Sequence, residues 1–300
     1  MSELYEIHDE RFRAMVLPNA RLETLGGDYD WLEGPVWFAD HQCLYVSDLP
    51  GDRILRWSEA AGVTEFRKPS HYANGHARDR QGRLISCSHG LRAVTRTELD
   101  GTITVLADHH QGKPLNSPND LVCASDGTIW FTDPPYGGQT DYEGGKHDCL
   151  LPPILYRLGA DGALTIAADD MTGPNGLAFS PDERWLYVAD TGENFAQEPQ
   201  ACIRRFAVGS DLRLSGGEPF HTISPGKADG LRLDDAGNIW SSAADGVHCI
   251  APDGTLLGKI LTPWPVSNLC FGGRHAAQLF LCASHTLMAI YVNVRGCVMR

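Results

Sequence analysis

Pro118-Asn119-Asp120-Leu121-Val122-Cys123-Ala124-Ser125-Asp126-Gly127-Thr128-Ile129-Trp130-Phe131-Thr132-Asp133 holds a pattern from which the rest of the chain can be read. A polar residue opens it and an apolar strand follows. Ser-Asp-Gly supplies a hairpin turn, and a second strand rich in aromatic and β-branched residues returns. That second strand recurs as Leu44-Tyr45-Val46-Ser47-Asp48, Leu84-Ile85-Ser86-Cys87-Ser88, Leu186-Tyr187-Val188-Ala189-Asp190, Ile239-Trp240-Ser241-Ser242-Ala243 and Leu279-Phe280-Leu281-Cys282-Ala283. Taken in chain order, the six starts are separated by 40, 45, 57, 53 and 40 residues. Four-stranded propeller blades repeat at about this period.

Each unit continues into a third strand, such as Arg53-Ile54-Leu55-Arg56-Trp57 or Ile154-Leu155-Tyr156-Arg157. Further turns at Asp100-Gly101, Asp161-Gly162 and Asp253-Gly254 lead to a fourth. Long helical periodicity is missing, which sets α/β folds aside. The chain therefore reads as all-β: one six-bladed β-propeller of four-stranded blades spanning residues 1–300, with residues 1–13 as an N-terminal extension. An open ring would leave two exposed sheet edges. The stretch holding Ala14-Met15-Val16-Leu17 and Leu22-Glu23-Thr24-Leu25 is therefore predicted to pair with the last unit and close the circle. The widest spacing holds residues 134–153, predicted to be a long loop over one mouth of the channel.

Composition narrows the function classes. Net charge is −13 and no basic run could track a phosphate backbone, so nucleic acid is not an expected partner. No apolar stretch approaches the ~20 residues that span a bilayer, and the acidic first 13 residues do not form a signal peptide. The nine Cys form no CxxC pair and read as small buried thiols in a reducing compartment. The expectation is a cytoplasmic protein (periplasmic if a leader has been removed), a monomer or weak homodimer. A GxSxG nucleophile elbow and a phosphate-cradling glycine loop are both absent. Trp37, Trp57, Trp130, Trp185 and Trp240 fall in strands and are expected to pack between blades.

Ten or eleven residues before each second strand stand Glu33, Asn74, Asn119, Asn175, Asp229 and Asn268. All are carboxylates or carboxamides. The innermost strand of a propeller blade lines the channel, so six equivalent positions would make a ring of oxygen-bearing side chains about the axis. Calcium and similar hard cations take six to eight oxygen ligands, and no His or Cys is present to suit zinc or copper. Asn or Asp followed by Gly is also what a tight turn uses. Glu33 is not a turn residue, however, and six at one phase favour a cation site.

The motifs Glu33-Gly34-Pro35-Val36-Trp37, Asn116-Ser117-Pro118-Asn119-Asp120-Leu121, Trp130-Phe131-Thr132-Asp133-Pro134-Pro135-Tyr136-Gly137, Gly173-Pro174-Asn175-Gly176-Leu177-Ala178-Phe179 and Ala228-Asp229-Gly230-Leu231 carry a resemblance. Along nearly its whole length the chain resembles the family of gluconolactonase, regucalcin (senescence marker protein) and luciferin-regenerating enzyme, bacterial gluconolactonases above all. The resemblance implies a six-bladed propeller with one divalent cation, calcium first and Zn²⁺, Mg²⁺ or Mn²⁺ as alternatives. It implies metal ligands at Glu33, Asn175 and Asp229, with Asn119 on metal or substrate. The chain departs from regucalcin-type members at Ser117, where they carry Arg.

Hydrolysis of a sugar lactone, D-glucono-1,5-lactone first, would need an electrophile for the carbonyl and a base for water. The cation would serve as the first and Asp229 as the second. Asn119, Asn74, His76, His89 and Tyr136 are the candidates for binding sugar hydroxyls. Glu143 and His147, in the long loop, read first as solvated residues and only second as parts of a lid. Two other readings use the same scaffold: hydrolysis of other lactones or organophosphate esters, or a non-catalytic calcium-binding propeller.

Overall fold

The computed structural model describes residues 4–192 and 201–297. Among them, six antiparallel sheets of four or five strands follow one another along the chain, each running from an inner strand outward. The inner strands are Leu32–Phe38, Ala73–Arg78, Leu121–Cys123, Pro174–Phe179, Leu231–Leu233 and Asn268–Gly272. Each touches the next, and the sixth touches the first, so the sheets form a closed six-bladed propeller. The second strands occupy Cys43–Asp48, Leu84–Ser88, Ile129–Asp133, Trp185–Asp190, Ile239–Ala243 and Gln278–Ala283. Most of their residues are buried, because both faces of a propeller sheet pack against neighbouring blades. Among the described residues no helix is long and apolar enough to cross a membrane.

Aromatic side chains fill the wedge between blades. Trp37 of blade 1 stacks on Phe280 of blade 6, ring centroids 5.3 Å apart. Trp130 of blade 3 meets Phe179 of blade 4 edge-on at 5.6 Å. Trp240 of blade 5 meets Phe271 of blade 6 at 5.9 Å. Trp185 differs from the expectation: 36% exposed, it sits at a strand start with the Arg205 guanidinium 4.6 Å over its ring. All nine cysteines are free thiols, and seven are buried.

Closure is of the predicted kind. Glu23–Gly26 pairs antiparallel with Thr286–Tyr291 and forms the outer strand of blade 6. Val16 adds an isolated bridge to Val292. The N-terminal extension does more than its polar composition suggested. Tyr5–Ile7 adds a fifth strand to blade 5 against Leu256–Leu261. A short 3-10 helix, Glu10–Ala14, then buries Phe12 completely, 6.1 Å from the Trp240 ring. Residues 5–26 thus strap blade 5 to blade 6.

Candidate functional site

The ring residues are placed by irregularities of the inner strands. In blades 1, 2 and 4 the ladder to the second strand shifts register at Glu33/Val36, Ala73/His76 and Pro174/Leu177. Glu33, Asn74 and Asn175 lie in these bulges, which re-aim side chains. In blades 3 and 5 regular pairing starts only at Leu121 and Leu231, leaving Asn119 and Asp229 just outside it. Asn74-Gly75 and Asn175-Gly176 are therefore strand segments, not the tight turns that Asn-Gly suggests. Their glycines allow close approach between blades: a Cβ on Gly176 would lie 2.1 Å from the Asp229 carbonyl oxygen.

Hydrogen bonds cross every junction around the axis. Ser47 Oγ donates to Asn74 O (2.9 Å), Gly75 N to Asn119 O (2.8 Å) and Thr132 Oγ1 to Asn175 O (2.9 Å). Gly176 N donates to Asp229 O (3.1 Å), Gly230 N to Ser267 O (2.8 Å), and Ser267 Oγ to Leu32 O (2.7 Å). Four of the six acceptors are backbone carbonyls of ring residues, so each blade helps to fix the next one's side chain.

Five ring members line one cavity of about 240 Å³: Glu33, Asn74, Asn119, Asn175 and Asp229. Trp31, Leu49, Tyr136, Tyr142 and Glu143 complete it. Asn268, the sixth, stands in a regular ladder opposite Cys282 and does not line the cavity. Its amide instead donates to Glu33 Oε2 (3.3 Å) and Asp120 Oδ2 (3.4 Å). Asp120 in turn lies 3.6 Å from Arg232 Nη1. A larger groove of about 460 Å³ runs between blades 2 and 3, where Arg83 is already paired with Asp79 and Glu98 and Arg96 with Glu98.

The electrostatics of the cavity are lopsided. Glu33 is buried and accepts from Trp31 Nε1 (3.3 Å) and Gly34 N (3.1 Å). Burial, and then the Asp120 charge, push its carboxyl up to about 7. Asp229 is raised well above the usual carboxylate range by burial and then by Glu33, Asp120 and Glu143. The charges that bear most on both are thus negative, a cost that a cation between them would remove. Among the described residues no three His, Cys, Asp or Glu side chains gather as a metal cluster. Glu33 and Asp229 with the Asn175 and Asn119 amides would offer oxygen donors only, which suits a hard cation.

The two histidines stand outside the cavity lining. His76 is enclosed: Ser47 Oγ gives its hydrogen to Asn74 O, so His76 Nε2–H donates to Ser47 Oγ (2.9 Å) and Nδ1 accepts from Ser86 Oγ (2.8 Å). Burial drops its pKa to about 3, so it is a neutral strut beneath Asn74 and not a group for sugar hydroxyls. His89, also fully buried, donates from Nδ1 to the Glu143 carbonyl oxygen (3.1 Å). Its Nε2 then accepts from the Asn74 amide at 3.2 Å, which orients that amide. Tyr136 does line the cavity, but its hydroxyl is turned to the carbonyls of Gly192 (2.9 Å) and Gly173 (3.2 Å). Ser117 anchors the excursion within blade 3, with Oγ donating to Pro134 O (2.6 Å) and accepting from Gly137 N (3.0 Å).

Sequence reasoning missed Asp120, Arg232 and the cavity role of Glu143. Asp120 carried a usable signal: it follows a ring residue where four other blades have Gly34, Gly75, Gly176 and Gly230. Residues 31–285 match the family described as SMP-30/Gluconolactonase/LRE-like region. The chain belongs to this family. It is 32% identical to a gluconolactonase of Zymomonas mobilis, over 95% of this chain and 85% of that one. It is 28% identical to a 6-deoxy-6-sulfogluconolactonase of Pseudomonas putida, over 88% and 92%. A solved gluconolactonase from Xanthomonas campestris superposes with a TM-score of 0.91 at 39% identity, covering 97% of this chain and 95% of the other. Family membership makes the chain a lactonase-type ester hydrolase.

Proposed function

We propose that the chain hydrolyses a sugar lactone, D-glucono-1,5-lactone first, with one divalent cation held by Glu33, Asn175, Asp229 and Asn119. The observation that carries this reading is the meeting of two like-charged carboxylates and two amides at a single axial cavity, with no lining His or Cys. Relatives that act on sugar-acid lactones support the substrate class. When bound, a divalent cation, calcium in first place, supplies Lewis-acid polarisation of the lactone carbonyl.

The protein's own groups do the rest. Asp229 takes a proton from the attacking water, a role open to a carboxylate that lines the cavity. Glu33, tied by Trp31, Gly34 and Asn268, holds position and balances charge. Asn74 and Asn119 are polar lining groups for sugar hydroxyls, and His89 sets the direction of the first. Leu49, Trp31 and Tyr142 give the cavity an apolar side that displaces water. The nine free thiols suit a reducing compartment, so the cytoplasm is the proposed place of action.

The test is hydrolysis of D-glucono-1,5-lactone after chelation, with Ca²⁺, Zn²⁺, Mg²⁺ or Mn²⁺ added back. Loss on chelation and recovery with a hard cation is the expected result. Activity indifferent to chelation would overturn the metal assignment, and inactivity on every aldonolactone would overturn the substrate class.

A further inference from the structure

Glu143 is the carboxylate of the cavity that the reaction just described leaves without a task. It comes from the excursion between the second and third strands of blade 3, yet lines the same cavity as Asp229 and Glu33. Its place is built. Its carbonyl oxygen accepts from His89 Nδ1 at 3.1 Å. The flanking Gly144 holds φ +141, and a Cβ there would come 3.0 Å from His89 Cβ. Gly137, earlier in the same excursion, lies against that ring, where a Cβ would come 2.5 Å from His89 Cγ. His147 Nε2, bonded to the Asn116 carbonyl at 2.9 Å, fastens the far end.

The charges around it single it out. Asp120 is answered by Arg232 at 3.6 Å, and a divalent cation would answer Glu33 and Asp229. The base nearest the Glu143 carboxylate is His89, at 3.7 Å, and burial keeps that imidazole neutral by pushing it down to about 4. Its Nδ1 hydrogen is already given to the Glu143 carbonyl. Burial raises the Glu143 carboxyl as well. A carboxyl group that lines the cavity and has no cationic side chain paired with it among the described residues is placed to act as a proton donor.

Resting on the lactonase reading, we propose that Glu143 is the general acid, giving a proton to the lactone ring oxygen as the acyl C–O bond breaks. Water adds to the acyl carbon and leaves one proton on Asp229. The ring oxygen departs with the bonding electron pair and takes the Glu143 proton, becoming a hydroxyl. The proton on Asp229 returns to Glu143 through solvent, and the new carboxylic acid ionises. No reactant beyond lactone and water is required.

The proposal is tested with Glu143→Gln on D-glucono-1,5-lactone and on its ring-sulfur analogue, whose thiolate leaves without protonation. Expected is a fall in kcat of about 10²-fold or more on the oxygen lactone with KM little changed, and no comparable fall on the thiolactone. Glu143→Asp should recover part of the loss. Calcium affinity, read by titration calorimetry, should be little changed in Glu143→Gln, since Glu143 is not among the proposed cation ligands. Equal losses on both lactones, a rise in KM alone, or no loss would overturn the proposal. So would calcium binding weakened about tenfold, or about 1.4 kcal/mol, which would make Glu143 a charged cation ligand instead. A wild-type protein inactive on aldonolactones would sink the lactonase reading itself, a result distinct from any of these.

Discussion

Asn175 and Glu143 face the same cavity, but their backbones are held differently. Asn175 lies in a bulge of an inner strand; its carbonyl accepts from Thr132 of the blade before, and the next residue donates to Asp229 of the blade after. Glu143 hangs on a loop held to blade 2 through side chains, His89 on its own carbonyl and Arg92 on that of Asp148. The first arrangement spreads the position of a side chain over the whole propeller, so it fails only with the fold. The second can change without disturbing the blades. In the proposed roles, the cation ligands therefore come from the ring and the proton donor from the loop.

The sharpest break of this contrast is Asp229→Asn, which removes ring charge and base together while keeping shape. Activity should fall by about 10³-fold or more, with far-ultraviolet circular dichroism unchanged and no rescue by excess calcium. Glu33→Gln should act on binding first: calcium held at least about 100-fold more weakly, roughly 2.7 kcal/mol by titration, with part of the activity restored at high calcium. A paired test with two alanines separates the regions directly. Gly176→Ala forces a Cβ onto the Asp229 carbonyl and should cost about 1–3 kcal/mol of stability, seen in thermal melting. Gly137→Ala presses on the His89 ring and should disturb kcat and KM while the melting temperature moves less. Equal melting shifts in the two would erase the distinction.

The smallest effect is on pH. Glu33 in the fold titrates at about 7, above the ~4.3 of an unfolded chain. Between those values the folded state binds a proton that the unfolded state does not, so folding is favoured on the acid side. Chelated protein should therefore melt at higher temperature at pH 6 than at pH 8. Calcium should flatten that dependence by holding the carboxylate ionised.

The blades were legible because their signals are local. Ile129-Trp130-Phe131-Thr132-Asp133, with Asp126-Gly127 before it, contains strand and turn within eight residues, and the observed strand has those bounds. The polar ring was legible as a phase in the repeat. Its geometry was not, since only the ladder shows that Asn268 pairs regularly while Glu33 and Asn175 bulge. His76 looked like a sugar ligand until Ser47 and Ser86 were seen on either side of it, residues 29 and 10 positions away in sequence. Glu143 lies in a stretch without periodicity, and its neighbour across space, His89, is 54 residues distant. Tyr5–Ile7 is only three residues of strand, too short to announce itself among acidic neighbours.

The strap across blades 5 and 6 sets the order of events in folding. Residues 23–26, made early, cannot finish their sheet until residues 286–291 exist, and residues 5–7 must wait for 256–261. During synthesis both early strands travel as bare edges, able to pair with whatever chain they meet. Few contacts in the molecule are more distant in sequence, so joining them should be slow and late. The circle is locked by a segment that spends most of the protein's manufacture with nothing to hold.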